Sequence, residues 1–330
     1  MRDTRRATAG LFVLTAVAIA AGIGVMQAQT QSPASSPNEF WKPPTDAQRC
    51  PSKWGAGDQL GSGNHMTPAS VMRAARLIRT GQTFELGQVL ERGMPLLGAR
   101  VWDVNTSHSG TTPQPGVPGG LEETVVAALG QVGTQFDGFA HQHIGGSFYN
   151  CFKMQDIATA GGMTKLGMET VGTQMSRGVL IDVAALKGVA MLGDAYVITP
   201  DDLQQALARS KLTLQPGDAV LINTGWGKLW KTDAAKFVRS SPGLGYAAEE
   251  WLAKQDPMLV GSDNCCIEVR PAGVGALIHT YFLAVNGIHL VENLKLDELA
   301  AAGATEFAFV VQPLKIWGAT GSTVAPTAIR

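Results

Sequence analysis

Histidine is scarce in this chain, with six among 330 residues, and its placement beside amides and carboxylates is where chemistry is expected. His141 and His143 follow Gly133-Thr134-Gln135-Phe136-Asp137-Gly138-Phe139-Ala140, while His279 and His289 flank a helix-to-strand junction ending at Glu292. Imidazole and carboxylate together are the groups that move protons near neutral pH and hold metal ions. In an extended strand alternate side chains share a face, so Gln131, Gln135 and Asp137 are expected to point the same way, with Gly133 leaving open space between them. The cluster reads either as a surface strand with hydrogen-bonded amides and a satisfied histidine, or as a site. The sharper motifs are missing: there is no H-E-x-x-H, no G-x-S-x-G and no phosphate loop, and Gly318-Ala319-Thr320-Gly321-Ser322 lacks the lysine that such a loop needs, leaving Ser322 as a turn residue. His65 and His108 stand alone, although His108 lies in a stretch that could line a cleft.

The elements that must carry these residues alternate. Thr67 caps a helix with Pro68 at its first position and Gly81 ending the run. Thr83 to Leu90 reads as a strand, Gly93 to Gly120 as loop, and Glu123 to Asp137 as a long β-like run into the polar cluster. Beyond it, strands are expected at Val179–Val183, Asp218–Thr224, Met258–Ser262, Ile288–Val291 and, last, Glu306–Val311. Helices are expected from Thr199 to Ala208, Gly245 to Lys254, Val274 to Val285 and Leu296 to Ala302. The fold class is therefore mixed α/β, and the absence of a repeat or of a linker after residue 50 implies one domain over residues 49–330.

Composition narrows the class further. Apolar residues make up 45% and charged residues 16%, which excludes a disordered or coiled-coil protein, and a net charge of −1 removes the basic footprint of a nucleic-acid binder. Arg2, Arg5 and Arg6 precede an apolar run from Ala9 to Met26, the layout of a secretory signal over residues 1–28. Export to a periplasm or medium is expected, with an uncleaved membrane anchor as the alternative. Removing that segment, which carries three Arg and one Asp, takes the net charge from −1 to −3. Residues 29–48 form a Pro-rich polar arm. Of the four cysteines, Cys265 and Cys266 read as two adjacent buried thiols, and sequence alone cannot pair the rest.

Gly133-Thr134-Gln135-Phe136-Asp137-x-x-x-His141, followed by Phe148-Tyr149-Asn150, resembles the cyclase-like metal hydrolases, the group of bacterial kynurenine formamidase and isatin hydrolase, whose signature is H-x-G-T-H-x-D-x-P-x-H. Trp54-Gly55-Ala56-Gly57-Asp58, Pro216-Gly217-Asp218, Thr224-Gly225-Trp226, Gly287-Ile288-His289 and Glu292-Asn293-Leu294 fall in the same order, so the resemblance covers nearly all of the chain after residue 50. It implies a swivelling β/β/α fold, a homodimer or higher homo-oligomer, and a metal site. The family's first two ligand histidines fall on Gln131 and Gln135, its aspartate on Asp137, its catalytic histidine on His141, and its later ligands on His279 and Glu292. The glutamine at 135 is similar to the longer-chain branch, whereas Gln131 and Phe139, which replaces the family's proline, depart from the signature.

A site of Gln135, Asp137, His279 and Glu292 offers mostly hard oxygen donors and one or two imidazoles, which favours manganese, with magnesium or zinc as alternatives. One divalent ion with His141 as proton relay suits hydrolysis of a cyclic amide, a lactone or an aryl formamide. Gln131, His143 and His289 are additional ligand candidates, and Trp102, His108, Phe139 and Phe148 are candidate pocket walls for a cyclic or aromatic substrate. Two other classes fit the same residues: a non-catalytic small-molecule binder of this fold, and a cyclase or dehydratase acting on polyketide-like chains.

Overall fold

Apolar runs separated by capped helices leave the chain few options other than a largely parallel sheet covered on both faces. The structure, a computed structural model, describes residues 41–110, 114–270 and 279–330. The expected signal (1–28) and most of the arm (29–40) lie outside the described residues, as does 274–278 of the expected helix. Phe40–Arg330 form one compact unit. No helix among the described residues is long and apolar enough to cross a membrane.

In chain order the main strands are β1 (Thr83–Glu85), β2 (Trp102–Ser109), β3 (Gly120–Ala127), β4 (Gln135–Asp137), β5 (Gln174–Asp182), β6 (Ala219–Asn223), β7 (Leu259–Ser262), β8 (His289–Glu292), β9 (Glu306–Val311), β10 (Gly321–Thr323) and β11 (Thr327–Ile329). Nine of them form one mixed sheet in the order β1-β11-β9-β5-β6-β7-β8-β4-β10, parallel from β5 to β8 and antiparallel toward both edges. Helices α1 (Pro68–Ala75), α2 (Pro200–Ser210), α3 (Tyr246–Ala253) and α4 (Asp297–Ala301) pack around it. The two with expected caps start as expected: Thr67 Oγ1 accepts from Ser70 N–H at 3.1 Å, and Thr199 Oγ1 from Asp202 N–H at 3.2 Å.

The pleat divides the core. Val179, Ile181, Val220, Ile222 and Val260 face the cluster that holds Leu203 and Leu252, whereas Leu180, Leu221 and Leu259 face the one that holds Phe307 and Phe309. Every one of these strand residues is essentially fully buried, which is what sets the parallel register: a one-residue slip would exchange the two cores.

Several expected elements change. The strand at Thr83 stops at Glu85, because only those three residues find a partner, in β11. The loop expected from Gly93 contains β2, which pairs with β3 as a separate two-stranded hairpin, so the long run from Glu123 breaks into β3, a turn and β4. Glu306–Val311 is not the last strand; β10 and β11 follow, and Ser322 lies buried inside β10 with its hydroxyl accepting from Leu314 N–H. The junction after His279 is a π-helical turn, Tyr281–Asn286.

Cys50 and Cys151 form a disulfide, and Cys265 and Cys266 are free and buried. Beside the disulfide, Arg49 donates to the carbonyls of Phe148, Ala284 and Ser147, fastening the segment before residue 50 to the loop after β4. The disulfide closes a long loop, with partners 101 residues apart. Replacing both cysteines (Cys50→Ser with Cys151→Ser) is expected to cost about 2–4 kcal/mol in chemical denaturation.

Candidate active site

β4 is only three residues long, and its register decides the site. It lies between β8 and β10, with Gln135 opposite Glu292 and Asp137 opposite Leu290. Gln135 and Asp137 share one face, and Phe136 between them turns into the opposite core. Directly paired residues come within reach across a sheet, and Gln135 Nε2 donates to Glu292 Oε2 at 2.8 Å.

Gln131 reaches this face by a different route from the one its spacing suggests. It sits in the turn before β4, and its amide donates to Asp137 Oδ1 at 2.8 Å while its oxygen accepts from Arg100 at 2.8 Å and from Gln135 at 3.3 Å. Gly133 does not leave open space. It has φ +67°, and a Cβ there would stand 2.1 Å from Leu90 Cδ2.

Asp137 has no exposed surface, and its Oδ2 has no hydrogen-bond partner; the same is true of Gln135 Oε1. His279 Nε2 lies 3.6 Å and His141 Nε2 3.9 Å from that free oxygen, so one donor atom from each of Asp137, His141 and His279 falls within 4.8 Å of the others. His279 is held at both nitrogens, by Glu268 Oε2 at 2.7 Å and by Glu292 Oε1 at 2.6 Å.

Burial works against charge on His279, but Glu268 and Glu292 outweigh it and hold the imidazole well above its ordinary pKa. Burial, reinforced by Asp137, pushes Glu292 up to about 8. The two groups are joined by the short hydrogen bond between His279 Nε2 and Glu292 Oε1. Behind them Glu249 is fully buried with neither oxygen partnered among the described residues, and desolvation together with Glu268 raises it well above its ordinary value. His141 faces the cleft, and desolvation lowers it below 6.5 against the pull of Asp137.

The cleft holds about 150 Å³ and is lined by Leu97, Arg100, Gln131, His141, Gln142 and the segment after β7: Cys265, Cys266, Glu268 and Arg270, with His279 and Glu292. It thus lies beyond the carboxyl ends of β7 and β8, where open α/β sheets bind ligands. The other candidates fall elsewhere. His143 is an exposed loop residue accepting from Gly146 N–H, and His108 lies on the exposed hairpin. Phe139 and Phe148 are core residues, and Trp102 packs beside Trp226 and Trp230, so none of the four aromatic wall candidates lines the cleft. His289 is no ligand either: it stacks on Phe139 at 4.0 Å and donates through Nδ1 to the Asp137 carbonyl at 3.2 Å. Glu268, Arg100 and Arg270 escape sequence reasoning, because the contacts that bring them here have no local spacing; the one cue for Glu268 is a charge closing an otherwise uncharged run after Asp263.

The single mixed sheet, with histidines and carboxylates gathered beyond its central strands, is the fold of the cyclase family. The chain belongs to that family: residues 84–269 match the family model described as "Putative cyclase", and a crystal structure of "a novel cyclase" is 33% identical over 84% of this chain and 98% of its own, with a TM-score of 0.78. The fold is also that of isatin hydrolase A from Ralstonia solanacearum (21% identity, 80% of this chain and 98% of that one, TM-score 0.58). Isatin hydrolase A from Labrenzia aggregata, solved with benzyl benzoate, is similar at 18% identity over 77% of this chain and 94% of its own, with a TM-score of 0.57. No curated protein matches the chain.

Burial drives His289 down to about 4, against an ordinary 6.5. Between those values the unfolded chain binds a proton that the folded one refuses, so stability is lost as pH falls from 6.5 to 4. Denaturation at both ends of that window is expected to show wild type losing about 3 kcal/mol more than His289→Gln, which has no proton to take up.

Proposed function

We propose that the protein is an exported hydrolase that uses a divalent metal ion to open a cyclic amide, a lactone or an aryl formamide in a small substrate. The observation that carries this reading is the convergence of Asp137, His141 and His279 beside two buried oxygens, Asp137 Oδ2 and Gln135 Oε1, that no protein donor satisfies. Gln135, Asp137, His279 and Glu292 are the residues that would hold a divalent cation, with His141 beside it, and a set richer in oxygen than in nitrogen favours manganese, then magnesium or zinc.

When bound, such an ion supplies Lewis acidity to the scissile carbonyl and acidifies water beside it. His141, neutral at pH 7, takes the proton of the attacking water and returns it to the leaving nitrogen or oxygen. Glu268 accepts from His279 Nδ1, fixing the tautomer and aiming Nε2 at the floor of the cleft. Gln131 holds Asp137 Oδ1, so that Oδ2 faces the two imidazoles.

A binding protein without turnover is the second reading. It is favoured by the amides of Gln131 and Gln135, which already engage Asp137 and Glu292 by hydrogen bonds.

The charged and apolar segment at residues 1–28 and the Cys50–Cys151 disulfide support export. A second copy of the chain is the proposed cover for the β2–β3 hairpin. That two-stranded sheet exposes Leu121 (61%), Val125 (46%) and Val126 (55%), and such a sheet is marginal without something packed on it. Val126→Asp is expected to shift the protein toward monomer in sedimentation.

Elemental analysis of purified protein is expected to find a divalent metal, and Asp137→Ala to lose it. His141→Ala is expected to keep the metal while kcat falls about 10²- to 10⁴-fold. Because His141 must be unprotonated to act as base, the acid limb of kcat/KM is expected below pH 6.5. Metal-free protein with no metal-dependent turnover of aryl formamides, lactams or lactones would remove the hydrolase reading.

A further inference from the structure

Two guanidiniums face the cleft, and among the described residues neither forms an ion pair with a carboxylate. Arg100 donates through Nη2 to the neutral Gln131 amide at 2.8 Å, and Arg270 through Nη1 to Cys266 Sγ at 3.1 Å. Arg92 and Arg177, away from the cleft, are paired with Asp103, Asp218 and Glu306 in the ordinary way. An arginine has five N–H donors in a planar fork, so among the described residues each cleft arginine engages one side-chain acceptor and keeps an edge for a planar anion.

The charge of the site points the same way. Asp137, Glu268 and Glu292 lie at the floor, and a divalent ion among them together with both arginines would carry one more positive charge than the three carboxylates balance. Low-dielectric walls focus that excess on whatever enters. The size fits as well: about 150 Å³ is room for a single ring, with the cleft open to solvent on one side.

We infer that Arg100 and Arg270 form a carboxylate clamp, so that the cleft selects a small ring compound carrying an acidic group beside the bond to be opened. The inference rests on the reading of this cleft as the substrate site. The arginines set specificity: they orient the ring, while the floor residues act on its amide or ester.

Calorimetric titration of the metal-loaded protein with benzoate and benzamide tests the clamp without turnover. Benzoate is expected to bind at least tenfold tighter, a difference of about 1.4 kcal/mol, and Arg100→Gln and Arg270→Gln are each expected to reduce that preference severalfold. In turnover, the ratio of kcat/KM for 2-formamidobenzoate over formanilide is expected to fall about tenfold in either variant. Equal binding of benzoate and benzamide, or a preference that both variants retain, overturns the clamp. Benzoate preference that the variants lose, with no turnover of either formamide or of any lactam or lactone, supports the clamp and removes the hydrolase reading. Equal turnover of the two formamides leaves the hydrolase and removes the clamp.

Discussion

Asp137 carries an ionisable carboxyl group to a position with no exposed surface, at the end of a strand three residues long. Taking a carboxylate out of water costs several kcal/mol unless its surroundings replace the lost hydration. Here one oxygen receives the Gln131 amide and the other is left to two imidazoles and no hydrogen bond. Much of the surrounding structure can be understood as the means of holding that group: the β8 register that sets Glu292 across from Gln135, the His289 ring bonded to the Asp137 carbonyl, and the Gly133 turn that returns Gln131 to the same face.

The same burial concentrates negative charge. Desolvation and then repulsion from Asp137 raise Glu292, desolvation and then Glu268 raise Glu249, and His279 lies between Glu268 and Glu292, hydrogen-bonded to both. A site of this kind is stabilised either by protons or by a cation, and the two compete, since a ligand must give up its proton to bind a metal. In the structure His279 and Glu292 are joined by a hydrogen bond, while Asp137 Oδ2 and Gln135 Oε1 have no hydrogen-bond partner among the described residues.

Architecture places the chemistry. Parallel strands end together, and the chain leaving β7 at Ser262 runs directly into Cys265, Cys266, Glu268 and Arg270 along one wall of the cleft. Arg100 comes from the other direction, two residues before the hairpin that stands apart from the main sheet. The floor is thus built on rigid central strands, while one arginine of the rim hangs on an element whose own packing depends on what covers it.

The sequence by itself determined the α/β class, the buried strands at 179, 218, 258, 288 and 306 and the two capped helices, because each leaves a local trace in periodicity or caps; the grouping of Asp137 and His141 with His279 and Glu292 came from the family resemblance, since residues so far apart share no local pattern. The sequence misplaced what depends on pairing. The run from Glu123 to Asp137 looks like one strand, yet β3 finds its partner in β2 and β4 finds its partners in β8 and β10, with Glu292 set against Gln135 from 157 residues away. Phe139, Phe148 and His289 have the composition of a pocket, yet Phe139 and Phe148 are buried in the core cluster and His289 stacks on Phe139, contacts that no local spacing shows. Only tertiary structure decided that Glu268, Arg100 and Arg270 meet at the cleft, because a contact across strands is set by register and crossover geometry, and neither is written in any local run of residues.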